Sequence, residues 1–344
     1  MNLQELYQDI ISLAPYQGNM PDDYRNNLRQ TLRTYQSFLS DLDADSRPDG
    51  WEEIVMSVKK TIKKINDIAS NSYKGFPSTA GIQLGNLLKD LQANILYKEI
   101  AVGTVFYRMR TIEERRTNIS HKEMFHIPIN MRRKVTTQRY STPGYPCLYV
   151  GMSVYTCWEE MNRPKMSDCW VSCLKNTRLI TLLDLSVPTR DAFQSDVRNY
   201  LLLFPLIISC MLPVENPKDI YKPEYIIPQL LTEWIIKKHK TGIFYTSVHK
   251  DSGFDFPADK YNNIAIPVQN PLESKVYCEA LSSYFRITSP MNYEIELLRN
   301  GENVEIGEYG LDEEREKEDN YRFSAFGHLE DWLSKGELKI PYFT

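Results

Sequence analysis

The chain has 344 residues, and its 41 Lys and Arg against 45 Asp and Glu leave a formal net charge of −4 at pH 7. With 42% apolar and 25% charged residues, the composition is that of a globular protein of two or three domains. The near balance of charge excludes a global basic field that would hold nucleic acid or an anionic membrane surface, so we expect neither as a partner.

Three sequence features predict a cytoplasmic protein. Six cysteines are too few and too unevenly spaced for the disulfide framework of a small secreted domain. Glu5 and Asp9 stand where a signal peptide would need a cationic start and an unbroken apolar stretch. The most apolar window, residues 201–214, contains two prolines and is shorter than the about 20 residues that cross a bilayer. We therefore predict that this window is buried core.

Residues 1–98 are predicted to form a helical domain. Apolar residues recur three or four positions apart in three segments, which places each set on one face of a helix. The third segment is predicted to be helical over residues 81–96. The three sets are Tyr24, Leu28, Leu32, Tyr35 and Leu39; Ile54, Val58, Ile62 and Ile65; and Leu84, Leu87, Leu88, Leu91 and Ile95.

From about Glu99 the pattern changes to short β-branched and aromatic runs between turn signals, which is typical of strands. We predict an α+β fold in which a mixed sheet with inserted helices occupies residues 99–288, after the helical domain. The predicted strands cover residues 101–109, 146–152, 168–174, 178–185, 241–248 and 262–268. The predicted inserted helices cover residues 153–162, 191–210 and 224–239.

Residues 289–344 are predicted to form a C-terminal extension. It contains two strand-like runs, over residues 292–299 and 303–310. An acidic stretch over residues 312–319 follows, which we interpret as a solvated loop or helix surface. An amphipathic segment around residues 328–338 ends the extension.

Several common chemical motifs are missing from the sequence. Neither GxGxxG after a strand nor GxxxxGK[ST] is present, which argues against dinucleotide chemistry on a Rossmann sheet. Cys169 and Cys173 have a spacing that could hold zinc, but no second Cys or His pair stands nearby to complete a tetrahedron. We therefore predict no metal.

Four segments stand in an order that carries a resemblance. They are residues 106–108 (FYR), residues 138–149 (QRYSTPGYPCLY), residues 153–160 (SVYTCWEE), and residues 242–247 (GIFYTS) followed by NNIAIP. Together they resemble the RES domain family, which is named for its Arg, Glu and Ser residues. The family pattern has an aromatic-Arg strand, a G-R-aromatic turn before a P-x-L-Y strand, a helix from Ser to Glu, and a late strand ending in Ser.

The resemblance implies a mixed-sheet fold like that of the ADP-ribosyltransferases, with NAD as the substrate. Cleaving the bond between nicotinamide and ribose passes through an oxocarbenium-like state, so the enzyme needs a carboxylate near the ribose and cations on the pyrophosphate. By resemblance, Glu160 would bind the ribose 2′-hydroxyl and stabilise the developing positive charge. Arg108 and Arg139 would hold phosphate or ribose oxygens, since a guanidinium presents a fork suited to phosphate.

Four further residues are predicted to bind NAD. Tyr149 would stack on the nicotinamide, and Tyr140 would form a wall of the pocket. Ser247 would hold the carboxamide or orient Glu160, so it is counted with Glu160 and Arg108 as catalytic. His126 is a candidate for lining the same pocket.

The favoured hypothesis is an NAD glycohydrolase or phosphorylase that depletes NAD and acts as a growth-arresting toxin or defence effector. One alternative is an ADP-ribosyltransferase that modifies a protein or nucleic acid, and another is a non-catalytic sensor of NAD or ADP-ribose. Short RES toxins resemble one half of a pair neutralised by a helix-turn-helix antitoxin, so such an antitoxin or another regulatory protein is a candidate partner. The N-terminal helices could fill that role in cis. The sequence leaves open the acceptor, the trigger and the oligomeric state, including a homo-oligomer.

Overall fold

The computed structural model describes residues 2–13, 23–112, 119–249, 257–269, 276–295 and 313–341. Its N-terminal part is helical, as predicted, with α1 (Leu3–Ser12), α2 (Tyr24–Ser40), α3 (Trp51–Tyr73) and α4 (Pro77–Asp90). The predicted apolar faces of α2 and α3 are buried. The helix predicted over residues 81–96 begins earlier, at Pro77. Proline is well tolerated at the first helical position, because the backbone N–H that it lacks would have no partner within the helix there.

The predicted sheet is confirmed. Eight strands lie in the order β1-β5-β6-β7-β3-β2-β4-β8 and form a mixed sheet, which gives the α+β class. All six predicted strands are present. The sequence did not predict β1 or β8, because β1 has only four residues, three of them exposed, and β8 has only three. The strands are β1 (Tyr97–Ile100), β2 (Val105–Thr111), β3 (Cys147–Gly151), β4 (Cys169–Asn176), β5 (Ile180–Leu185), β6 (Gly242–Thr246), β7 (Asn262–Pro267) and β8 (Phe285–Ile287).

Helices interrupt and follow the strands. They are α5 (Val154–Glu160), α6 (Arg190–Ser195), α7 (Val197–Met211), α8 (Ile226–Lys237), α9 (Glu279–Tyr284), α10 (Glu313–Arg322) and α11 (Ala325–Ser334). The single helix predicted over residues 191–210 is broken at Asp196, whose backbone leaves the helical region. The apolar window that begins at Leu201 is buried in α7, as predicted. No helix within the described residues is both long and apolar enough to cross a membrane.

The C-terminal extension differs from its prediction at its start. Residues 293–295 are helical where a strand was predicted over residues 292–299. The physical reason is Asn292, whose side-chain oxygen accepts a hydrogen bond from the backbone N–H of Ile295 (3.2 Å) and so begins a helical turn. The strand predicted over residues 303–310 lies outside the described residues. Most of the acidic stretch belongs to α10.

The chain forms two compact units. The first comprises Met1–Lys98, Thr136–Pro143 and Leu183–Val248, and the second comprises Glu99–Val135, Gly144–Leu182 and His249–Thr344. Within the first unit, α2 and α3 pack on α7. Within the second unit, α5 and α11 pack on the sheet around β2 and β4. The predicted division into residues 1–98, 99–288 and 289–344 stays a prediction.

A tyrosine hydroxyl satisfies a carbonyl of α7 that has no partner within the helix. Pro205 has no N–H, so the carbonyl of Leu201, one turn earlier, lacks its intrahelical donor. The hydroxyl of the fully buried Tyr35 donates to that carbonyl at 2.7 Å, and its ring stacks on Phe204 at 5.7 Å. The contact therefore ties α2 to the middle of α7.

We expect Tyr35→Phe to lower the free energy of unfolding by about 1–3 kcal/mol, because it leaves the buried Leu201 carbonyl unpaired. Urea unfolding measures the change. The matched background is Pro205→Ala, in which the new N–H at position 205 can bond that carbonyl. In the Pro205→Ala background, Tyr35→Phe should lower the free energy of unfolding by less than it does in the native protein. An equal loss in the two backgrounds would contradict the explanation.

Candidate functional site

The short helix α5 ends on Glu160. It begins at Ser153, whose hydroxyl oxygen accepts from the backbone N–H of Thr156 (3.0 Å) and whose O–H donates to the carbonyl of Lys260 (2.6 Å). The helix was predicted over residues 153–162 but stops at Glu160, because Asn162 and Arg163 have left-handed φ angles of 63° and 54°. The last turn therefore presents two neighbouring carboxylates.

The two carboxylates have different surroundings. Glu160 is exposed, and its Oε1 accepts a hydrogen bond of 2.8 Å from Nδ2 of Asn263, a buried residue of β7. Glu159 is only 3% exposed and forms an ion pair with Nε of Arg163 at 2.9 Å. Glu160 is therefore a solvent-facing carboxylate fixed by a neutral amide, whereas Glu159 holds the strained turn that ends α5.

Arg108 places a guanidinium inside the second unit. β2 and β3 pair at Tyr107 and Gly151, and just beyond this pair Nη1 of Arg108 donates to the carbonyl of Tyr149 at 2.8 Å. The Nε of Arg108 is buried without a hydrogen-bond partner. Burial, assisted by the charge of Arg110, lowers the pKa of Arg108 to about 10, so the side chain stays charged at pH 7.

No carboxylate in the described residues pairs with Arg108. Arg108 is half-buried, and a charge that is partly removed from water without a counterion is costly. The guanidinium can therefore receive an anionic group from a ligand.

Ser172 shares the sheet face of Arg108. The two residues stand directly opposite each other in the antiparallel pairing of β2 with β4, so their side chains leave the sheet on the same side. Ser172 is fully buried, and its hydroxyl also has no hydrogen-bond partner. No sequence pattern points to Ser172, because a single serine within an apolar strand belongs to no motif.

Cys157 packs α5 against the strand that carries Arg108. Its Sγ donates to the carbonyl of Tyr107 at 3.2 Å, and burial raises the pKa of the thiol to about 12. The thiol also lies against Gly151, where a Cβ atom would stand 2.8 Å from Sγ, so a side chain there would displace α5 from β3.

His126 is held by backbone groups on both sides of its ring. Nε2 accepts from the N–H of Cys278 (3.0 Å), which leaves the proton on Nδ1 to donate to the carbonyl of Ile127 (2.8 Å). Burial is the main cause that lowers the pKa of His126 to about 4, and Arg108 lowers it further. The imidazole is therefore neutral at pH 7. Its contribution to ligand binding stays a prediction.

We expect His126 to make the protein sensitive to acid. The pKa of His126 in the folded protein lies below its value of about 6.5 in the unfolded chain. The stability that the neutral ring contributes is therefore present above pH 6.5 and is lost as the pH falls towards 4. The loss should be about 3 kcal/mol between pH 7 and pH 4. Urea unfolding of the native protein and of His126→Gln at pH 7 and at pH 4 measures this loss. The difference between the two proteins isolates His126, because the other titratable groups contribute equally to each protein. An identical fall in both proteins would contradict the assignment.

The other three predicted site residues belong to the first unit. Nη1 of Arg139 donates to the carbonyls of Cys210 (2.7 Å) and Leu212 (3.1 Å), where the end of α7 leaves carbonyls without helical partners. The buried ring of Tyr140 lies 4.6 Å from that of Tyr245. Ser247 is buried directly after β6. The roles of Arg139, Tyr140 and Ser247 in ligand binding stay predictions.

The cysteine pair considered for zinc lies in the core. Cys169 and Cys173 are on one face of β4, within the cluster formed with α5 and α11. Burial raises the pKa of each thiol to about 12, so both are protonated at neutral pH, whereas zinc binds thiolates. Within the described ranges, no three His, Cys, Asp or Glu side chains are arranged to hold a metal ion.

Fold and site together define a class of protein: an α+β domain with two charged groups. One is a half-buried arginine on a strand, with no carboxylate partner among the described residues, and the other is an exposed, amide-bound glutamate at the end of the helix that follows the next strand. Sequence comparison matches residues 107–284 to the RES domain, which is more than half of the chain. The chain belongs to the RES domain family, and the predicted resemblance is confirmed.

One curated relative is similar over most of the chain. It is "Putative toxin YopC" of Bacillus subtilis (strain 168), which is 34% identical over 265 residues. The alignment covers 71% of this chain and 59% of the relative, so the chain spans about three-fifths of that protein's length. No solved structure matches the chain.

Proposed function

We propose that this protein cleaves the bond between nicotinamide and ribose in NAD, as a glycohydrolase or phosphorylase. We further propose that the loss of NAD arrests growth, so that the protein acts in the cytoplasm as a toxin or defence effector. Membership of the RES family and the similarity to YopC, which is named as a toxin, support the toxin class. The observation that carries the proposal is the guanidinium of Arg108, which is half-buried, has a buried Nε without a hydrogen-bond partner, and lacks an anionic partner within the described residues.

Arg108 is proposed to bind the pyrophosphate of NAD. The pyrophosphate carries two negative charges and would supply the anionic partner that Arg108 lacks within the described residues. A hydrogen bond to a charged group contributes about 1.5–3 kcal/mol. The Ser172 hydroxyl, which has no hydrogen-bond partner, lies on the same sheet face as Arg108. Binding of the pyrophosphate thus offsets the cost of keeping the Arg108 charge partly removed from water.

Glu160 is proposed to stabilise the transition state. As nicotinamide leaves, positive charge develops on the ribose, and a fixed carboxylate beside it lowers the energy of that state. The hydrogen bond from Asn263 holds the Glu160 carboxylate in place without neutralising it. Asn263 is thus a site residue to which the sequence analysis gave no role, although it had identified the segment.

The remaining predicted residues complete the proposal. Tyr149 is half-buried on β3, where its carbonyl already binds Arg108, and its ring is proposed to stack on the nicotinamide. Arg139, Tyr140, Ser247 and His126 are proposed to bind other parts of NAD.

The experiment is to incubate the purified protein with NAD, with and without phosphate, and to follow the products by NMR or chromatography. Glu160→Ala is the test variant, and Glu337→Ala, which removes an exposed carboxylate, is its control. We expect nicotinamide release that only Glu160→Ala abolishes. ADP-ribose as the second product would identify water as the acceptor, and its phosphorylated form would identify phosphate.

Other outcomes would contradict the proposal in different ways. NAD bound but not cleaved would favour a sensor, and Glu160→Gln should then leave the affinity for NAD unchanged. Nicotinamide release only in the presence of a protein or nucleic acid that becomes labelled would identify a transferase.

A further inference from the structure

The C-terminal helix α11 packs on the helix that carries Glu160. It lies outside the residues that match the RES domain. The ring of Phe326 contacts both Tyr155 and Trp158 of α5, with ring centroids 5.3 Å apart in each case. The buried Leu329 and Leu333 of α11 extend the same core cluster. α5 is therefore packed against both β2 and a helix from the C-terminal extension.

A half-buried carboxylate of α11 caps the start of α5. Oε1 of Glu330 accepts a hydrogen bond of 2.7 Å from the backbone N–H of Val154, the first residue of α5. It also accepts a hydrogen bond from the hydroxyl of Tyr321 in α10. The first N–H groups of a helix have no partner within the helix, and a negative charge there also interacts favourably with the helix dipole.

Both ends of α5 are tied to one short segment of chain. At its start, the hydroxyls of Ser153 and Thr156 both donate to the carbonyl of Lys260. At its end, Glu160 accepts from Asn263, three residues further along that segment. The ammonium of Lys260 lies over the ring of Tyr321 (5.0 Å), which in turn bonds Glu330.

We propose that Glu330 is a positioning residue for Glu160. By holding the first N–H of α5, it sets the tilt and register of a helix whose last residue must meet Asn263. The two ends of α5 are only about 9 Å apart along the helix axis, so the helix transmits a shift of its first turn directly to Glu160. This inference rests on the proposed function of Glu160.

The test compares Glu330→Ala with Glu330→Gln, in which the amide oxygen can still accept from Val154 and Tyr321. The matched control is Asp331→Asn, which removes the neighbouring, exposed carboxylate of the same helix. We expect Glu330→Ala to lower kcat at least about tenfold while KM for NAD stays within about twofold, because Arg108 lies on β2 and not on α5. Glu330→Gln should restore kcat to within about threefold of the native value, and Asp331→Asn should match the native protein.

A second measurement is independent of turnover. In Glu330→Ala, the backbone amides of residues 154–160 should exchange hydrogen at least about tenfold faster, while those of β4 stay unchanged. An unchanged kcat, a rise in KM that accounts for the whole loss, or equally accelerated exchange in β4 would overturn the inference. If the native protein releases no nicotinamide, the proposed function fails and the catalytic role of Glu330 fails with it, and acceleration confined to α5 then shows only that Glu330 caps this helix. If the native protein releases nicotinamide but exchange in α5 is unchanged in Glu330→Ala, the inference alone is overturned.

Discussion

Replacing Glu160 by Gln is expected to lower kcat for NAD cleavage by about 10² to 10⁴ while the affinity for NAD changes little. Gln keeps the size of the side chain and an oxygen that can accept from Asn263, so the fold at the end of α5 should be preserved. What is lost is the negative charge, which acts only as positive charge develops on the ribose. Single-turnover kinetics and calorimetric titration with NAD measure the two quantities separately.

The adjacent Glu159 provides the matched control, because it differs from Glu160 in burial and partner. Glu159→Gln weakens the ion pair with Arg163 and should lower the free energy of unfolding by about 1–3 kcal/mol. Its kcat should remain much closer to the native value. If Glu159→Gln abolished cleavage and Glu160→Gln did not, the assignment of the two carboxylates would be reversed.

Arg108→Met is expected to separate ligand binding from stability. Removing the guanidinium should weaken NAD binding by about 10-fold to 100-fold, as expected for the loss of charged hydrogen bonds. The unliganded protein should lose little stability or gain some, because the variant replaces a half-buried charge, which has no counterion in the described part of the chain, by an apolar side chain of similar length. The loss of the hydrogen bond to the Tyr149 carbonyl acts in the opposite direction.

The measurement is thermal unfolding with and without NAD, made in the Glu160→Gln background so that the ligand is not consumed. NAD should raise the Tm of Glu160→Gln but not that of the double variant. The control is Arg110→Met, two residues along the same strand face, whose guanidinium bonds the carbonyl of Glu123. It should lose stability and keep the NAD-dependent rise. A full rise in Tm for the Arg108 variant would exclude a binding role for Arg108.

If both predictions hold, the protein maintains an unfavourable charge at Arg108 so that it can bind an anion. Natural proteins often keep such local costs at functional sites. The surrounding sheet and the packing of α5 must then supply the compensating stability. That requirement fits the C-terminal helix α11, which adds buried apolar side chains to the core beside α5.

Regular patterns in the sequence predicted much of the fold. The apolar faces of α2 and α3 repeat every three or four residues, and the strands read as short apolar runs, because each pattern reports burial of one local element. These patterns do not predict elements whose local signal is weak. β8 has only three residues, and a single side-chain contact of Asn292 replaced a predicted strand by a helical turn.

For the site, the sequence by itself determined the family, through Arg108, the segment that ends at Glu160, and the order of the motifs around them. Only the tertiary structure decided that Glu160, and not Glu159, faces solvent, and that Asn263 binds it. It also decided that Arg108 is half-buried, with no counterion among the residues that the structure describes, and that Glu330 caps α5. The reason is physical: residue type and spacing are local, whereas burial and hydrogen-bond partners depend on distant segments, as in the bond between Val154 and Glu330, which are 176 residues apart.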